Sequence, residues 1–232
     1  MLMSSSEFDS ALIALGLTLK ISLWATVINL ILAVGLAYFF ATRRFTFRNT
    51  FDAILTLPMV LPPTVLGYYL LVLLGRQGPV GDFLEHAFGI RLIFTWQGAV
   101  IAAAITSFPL VFKSARAAFE SVNPQFRQAA TSLGIHNFFI FFRVTLPLAW
   151  RGILAGTLLG FARSMGEFGA TLMVAGSIPG QTQTLSITVY EAVQAGQDQL
   201  ANFLVMLISI VGFLILVTSN YLTPRGVKHA HV

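Results

Sequence analysis

Two ionisable residues sit where charge is costly. Arg163 and Glu167 lie inside the apolar run from Gly152 to Thr171, which is rich in glycine, leucine and alanine. Four residues apart, they are within reach of one another on a helix face. At about 1.5 Å per residue, Arg163 stands about 16 Å along a helix from Gly152, near the middle of a hydrocarbon core about 30 Å thick. A lone charge at that depth costs at least roughly 3 kcal/mol. At about 100° per residue, Gly152, Gly156, Gly160, Arg163, Glu167, Ala170 and Thr171 share one stripe about 100° wide. Small residues spaced by four mark close helix packing in membranes. The pair is therefore expected to face protein or a water-filled path rather than lipid. Three roles are open to it: a structural salt bridge, which is the expected one because the nearby acid offsets the field an anion would feel, contact between Arg163 and a passing anion, or gating.

Other chemistries are not supported. The chain has no cysteine, which excludes disulfides, thiolate catalysis and cysteine metal sites. His86, His136, His229 and His231 are scattered without metal-ligand spacing. No nucleophile–base constellation is visible. No glycine is followed by lysine, so a phosphate-binding loop of the G-x-x-x-x-G-K-[ST] type is absent. Neither a catalytic residue, a metal site nor a cofactor bound by this chain is expected.

The elements that hold the pair must be membrane helices. Of 232 residues, 56% are hydrophobic and 10% charged, against about a quarter charged in soluble domains. Apolar segments over residues 11–41, 53–74, 92–112, 152–175 and 202–222 each reach the length that crosses a bilayer, about 20 residues. The third is expected to continue as an amphipathic helix to Phe119. The chain thus reads as an all-α integral membrane protein with about five transmembrane helices, one domain over 1–232. The opening MLMSSSEFDS carries no positive charge and no small-residue cleavage site follows, so the first apolar run is expected to be retained.

Basic residues set the orientation, because lysine and arginine accumulate on the cytoplasmic side. Arg43, Arg44 and Arg48 follow the first span, Lys113, Arg116, Arg127, Arg143 and Arg151 follow the third, and Arg225 and Lys228 follow the fifth. The alternate segments hold Glu7, Asp9, Asp82, Glu85, Glu191 and Asp198, with Arg76 and Arg91 against the trend. The N-terminus is expected outside and the C-terminus in the cytoplasm of a multi-pass inner-membrane protein. The net charge of +5 does not point to nucleic acid, because the basic residues sit at the ends of apolar runs.

Prolines interrupt two spans. Pro58, Pro62 and Pro63 remove backbone donors and should break the second span near mid-membrane. Such a break is tolerated only where protein or water satisfies the freed groups. It is either a packing kink or a place where backbone lines a path. Pro109, following Ser107 in the third span, reads the same way. Pro62, Pro63, Ser107 and Thr171 are thus candidates for lining the path.

The segment between the third and fourth spans carries the most specific pattern. Asn123 can cap a helix, Pro124 suits its first position, and Gly134 suits the left-handed position after its end. His136 to Pro147 contains four phenylalanines and reads as a helix lying in the membrane interface, ended by Pro147. From the residues alone, a docking helix and an ordinary polar connection are both compatible.

Ala129 and Ala130, Gly134 four residues on, and then Val144, Leu146 and Pro147 resemble the EAA loop of ABC importer permeases, whose pattern is E-A-A-x3-G-x9-I-x-L-P. Both gaps match. Gln128 stands for the usual Glu and Val144 for the Ile, and the Gln removes a charge from the expected contact. The resemblance implies a type I importer fold, in which residues 123–147 form a coupling loop that docks a cytoplasmic ATPase. The run around Arg163 and Glu167, together with Leu57 to Leu71 and Gly75 to Gly81, is similar to the sulfate, molybdate and tungstate branch, most of all to its molybdate members. It implies a homodimer, two cytoplasmic ATP-binding subunits holding ATP and Mg, a periplasmic oxyanion-binding protein, and lipid around the spans. Sulfate or tungstate is the alternative substrate. A secondary transporter would need paired repeats or a chain of intramembrane acids, and an intramembrane enzyme a catalytic pair.

Overall fold

The computed structural model describes residues 5–43 and 45–222. Arg44, Arg225, Lys228, His229 and His231 therefore lie outside the described residues, as does the C-terminal basic segment used for orientation. The described chain is all helical, with no strand. Among the described residues four helices are long and apolar enough to cross a membrane, and there are five spans if one bent pair is taken as a single crossing.

Helix α1 (Ser5–Thr42) packs along α5 (Trp96–Glu120), and α5 packs along α8 (Leu146–Met165). Small residues make these approaches close. Ala25, Ala33, Ala37, Ala99, Ala103 and Ala115 are all fully buried. With lipid no more polar than the side chains, such contact surfaces and buried hydrogen bonds hold the bundle. Asn29 Nδ2 donates to Ala104 O at 3.0 Å and to Ser107 Oγ at 2.9 Å, and Ser107 Oγ donates to Ala103 O at 2.6 Å. At the other end of the seam, Phe40, Phe112 and Phe119 form a buried aromatic cluster with Tyr38 and Phe141 against it. Helix α11 (Asp198–Leu222) lies on α8, where Ser219 Oγ donates to Ala155 O at 3.2 Å.

The glycine stripe of α8 does what its spacing requires. A methyl group added at Gly152 would lie 2.7 Å from Ala118 Cβ, at Gly156 2.2 Å from Ser114 Cβ, and at Gly160 2.4 Å from Val111 Cγ2. The two backbones could not approach this closely with any larger residue.

The second span is discontinuous. Helix α2 (Arg48–Thr56) runs into a tight 3-10 turn at Leu57–Met59, and α3 (Pro63–Leu74) departs at 106° from it. The expected break over Pro58, Pro62 and Pro63 is thus a sharp change of direction. By contrast α5 runs unbroken through the buried Pro109.

The expected fourth span, 152–175, is corrected at both ends. Pro147 does not end the preceding helix. Helix α7 (Asn137–Ile140), a π-helical turn at Phe141–Thr145 and α8 run on as one rod over Asn137–Met165. The π turn at Phe141–Thr145 directly precedes Pro147 and widens the rod there, so the proline ring and the missing donor are accommodated without a break. The rod then stops at Met165. Gly166 caps it, and a separate short helix α9 (Gly169–Ala175) follows, so Glu167, Ala170 and Thr171 do not continue the stripe of α8. Two further helices, α4 (Pro79–Phe88) and α10 (Leu185–Gln194), lie in segments where no helix is expected from the sequence.

Candidate functional site

Three places in the fold present chemistry, at one end, in the middle and at the other end.

At the first end, α6 (Pro124–Ser132) stands clear of the bundle. Asn123 Oδ1 accepts from Gln125 N–H at 2.9 Å and Pro124 opens the helix. Gly134 takes φ +75°. Its N–H bonds Thr131 O at 2.9 Å and the Ile135 N–H bonds Ala130 O at 3.2 Å, the double closure of a Schellman motif. Of the helix, only Ala130 is buried. Gln128, Ala129 and Gly134 are exposed, and Leu133 is 79% exposed. Val144 and Leu146 are half-buried, and Leu146 packs on the aromatic cluster, whereas Pro147 is exposed.

The same end carries an ion-pair network. Asp52 of α2 meets Lys113 Nζ and Arg116 Nη1, each at 2.6 Å, and Glu120 meets Arg48 Nη2 at 2.7 Å and Arg116 Nε at 2.9 Å. Helix α2 buries no residue of its own, so these pairs are its main attachment to α5. Exposed pairs contribute at most about 1 kcal/mol each.

In the middle, the breaks of two spans meet. A methyl at Gly169, the first residue of α9, would lie 2.9 Å from Pro63 Cβ and 3.4 Å from Thr64 N at the start of α3. Glu167 is in the connection just before it, with its side chain 1% exposed. Its Oε1 accepts from Ala170 N–H at 3.0 Å, which fixes the carboxylate at the entrance of α9. Its Oε2 is 2.8 Å from Arg163 Nη1, a close charge contact that is not an aligned hydrogen bond. The Arg163 side chain is 36% exposed. Pro62 and Pro63 are exposed at this junction, whereas Thr171 is buried within α9 and Ser107 within the α1–α5 seam.

At the other end, sequence reasoning passed over a group of residues. A cavity of about 800 Å³ opens between α3, α4 and the connection before α5, with Arg76, Glu85, Arg91 and Phe94 on its wall. Glu85 accepts from Arg76 Nε at 3.1 Å and Nη2 at 3.0 Å, and from Arg91 Nε at 3.0 Å. The hydrogen bonds from Arg76, then those from Arg91, hold the Glu85 carboxyl below its ordinary value of 4.5. Phe94 adopts φ +58°, a left-handed conformation rare outside glycine, with its N–H on Val174 O at 3.0 Å. The signal for this group was the pair of arginines running against the charge asymmetry. They are bridged by one acid.

A sequence profile described as "binding-protein-dependent transport system inner membrane component" matches residues 29–228. The chain is 39% identical over 220 residues to the molybdenum transport system permease protein ModB of Escherichia coli K12, covering 94% of each. It is 38% identical to the protein of the same name from Haemophilus influenzae, over 93% of this chain and 94% of that one. The sulfate transport system permease protein CysT of Salmonella typhimurium is 32% identical, over 91% of this chain and 76% of its own length. Among solved structures, a chain of the MetNI methionine ABC transporter, in an inward-facing form, superposes with a TM-score of 0.76 at 15% identity, covering 94% of this chain and 97% of that one.

Proposed function

The chain belongs to the family of binding-protein-dependent transport system inner membrane components, and from that premise we propose that it is the permease subunit of an ATP-driven importer of molybdate or a similar tetrahedral oxyanion. The observation that carries the substrate is the ordering of its relatives, with molybdenum permeases at 38–39% identity over 93–94% of this chain above a sulfate permease at 32%. The chain itself performs no reaction. ATP and Mg belong to two cytoplasmic ATP-binding subunits, and a periplasmic protein delivers the anion. Two copies of this chain would enclose the path between them.

Helix α6 would be the coupling element. Gln128 and Ala129 would meet the ATPase with the buried Ala130 setting the helix behind them, Gly134 would close the helix, and Val144, Leu146 and Pro147 would join it to the span. Its exposure and double capping support this role, since a helix that makes so few contacts of its own needs a partner to be useful. The basic end of the bundle, with Arg43, Lys113, Arg116, Arg127, Arg143 and Arg151, would be cytoplasmic. The N-terminus would then be outside and the C-terminus inside.

The test is reconstitution with the ATPase and a binding protein. Molybdate-loaded and tungstate-loaded binding protein should stimulate ATP hydrolysis and anion uptake several-fold over sulfate. Stimulation by sulfate alone would replace this reading with the sulfate one, which the 32% identity to the sulfate permease makes the second candidate.

A further inference from the structure

We propose that Arg163, held by Glu167 where the two broken spans meet, is a contact residue for the transported oxyanion; the inference rests on the transport reading above. Four observations carry it.

The first is depth. The register of α8 on α5 sets Gly152 against Ala118, Gly156 against Ser114 and Gly160 against Val111, with Ser107 O 3.8 Å from a methyl at Gly160. Arg163 is one turn further, level with the stretch around Ser107. That stretch is about 16 Å from Trp96, where α5 begins, or half of a hydrocarbon core about 30 Å thick.

The second is placement. The pair sits at the junction of α8 and α9, and α9 abuts the junction of α2 and α3. Irregular backbone at such depth is tolerated in buried protein or beside a water-filled cavity. A guanidinium more than a third exposed at that level requires water or a partner rather than lipid.

The third is unused hydrogen-bonding capacity. Among the described residues only Nη1 of Arg163 is engaged, by Glu167 Oε2 at 2.8 Å, so the Nε–Nη2 edge of its planar fork is left to take two oxygens of one anion.

The fourth is asymmetry within the pair. Glu167 is buried behind the arginine, at 1% against 36% exposure, and one of its oxygens is occupied by Ala170 N–H. An anion arriving from the exposed side meets the guanidinium before the carboxylate.

A carboxylate 2.8 Å away lowers affinity, and for a conduit that is an advantage. A lone arginine at mid-depth would be costly when empty and would retain a divalent anion when filled. The paired arginine is neutral overall when empty, offers directed donors, and binds weakly enough for the anion to leave. Glu167 is thus a positioning residue that sets how tightly Arg163 holds.

The experiment uses the purified permease–ATPase complex and its reconstituted vesicles, with every value taken per assembled complex. Equilibrium dialysis of radiolabelled molybdate, without binding protein, should show Glu167→Gln retaining the anion about tenfold more tightly than wild type, because the compensating charge is gone. The double change Arg163→Gln with Glu167→Gln keeps a neutral pair able to hydrogen-bond, and it should lose about tenfold or more of uptake. Arg163→Lys keeps the charge without the fork and should change the molybdate-to-sulfate uptake ratio by threefold or more (the same estimate of a lost bidentate contact). Wild-type retention, uptake and ratio in these variants would overturn the assignment. A wild-type complex that takes up no tetrahedral oxyanion would instead overturn the transport reading on which it rests.

Discussion

At the residue scale, the outer arginines and Glu85 show how one acid can bridge two cations that oppose the charge asymmetry. The carboxyl is held below its ordinary 4.5 by the hydrogen bonds from Arg76 and then Arg91. A depressed acid contributes stability that is present above its ordinary value and is lost as pH falls through the lowered one. Local order around α4 should therefore persist at neutral pH and loosen only under acid conditions, below the ordinary carboxylate range. Amide exchange over residues 76–91 reads this directly. Glu85→Gln should exchange fast at neutral pH already and lose the acid transition. If the variant and the wild type gave the same profile, the bridge would not be what orders this segment.

At the scale of elements, α6 gives the sharpest expectation. Gly134 holds φ +75°, and nothing lies within 4 Å of where its Cβ would be, so the cost of a side chain there is conformational and not steric. Gly134→Val should cost about 1–2 kcal/mol at that turn and abolish coupled uptake while the protein still inserts. Gly134→Asn, which tolerates the left-handed region, should recover most of it. Normal transport by the valine variant at normal expression would remove the docking role. This helix was legible from sequence because its punctuation is local: Asn123, Pro124 and Gly134 each act on their own few residues. The break at Pro58, Pro62 and Pro63 was legible for the same reason, though not its 106° angle, which depends on what α3 packs against. The break at Gly166 was hidden, since glycines in the preceding stripe at 152, 156 and 160 sit inside a continuous helix. Nothing local separates a packing glycine from a terminating one. The proximity of Arg163 and Glu167 was legible from their spacing, but the burial of one and exposure of the other belong to tertiary packing. Pro147 misled because the same residue suits the end of one helix and the first turn of the next. Helix α10 was missed because ten residues are too few for a span and its polar groups find tertiary partners, as where the Leu185 N–H bonds Thr18 Oγ1 at 2.8 Å.

At the scale of the whole molecule, the ends of the bundle differ in charge. One end collects Lys113, Arg116, Arg127, Arg143 and Arg151, and the other sets Asp82 and Glu85 against Arg76 and Arg91, which Glu85 bridges. A reporter that works only in the cytoplasm, fused after Val232, should be active, and a periplasmic reporter at the same place should be silent. The opposite pair of results would invert the orientation. The order in which the bundle is made matters as well. Asn29 finds its acceptors on Ala104 and Ser107, 75 and 78 residues later in the chain. At roughly 5–20 residues per second of synthesis, α1 waits about 4–15 s before α5 exists. Throughout that interval a polar amide that ends 1% exposed has no helix to bond. Newborn α1 must therefore linger beside something wet or proteinaceous, and release into lipid is timed by the emergence of its partner.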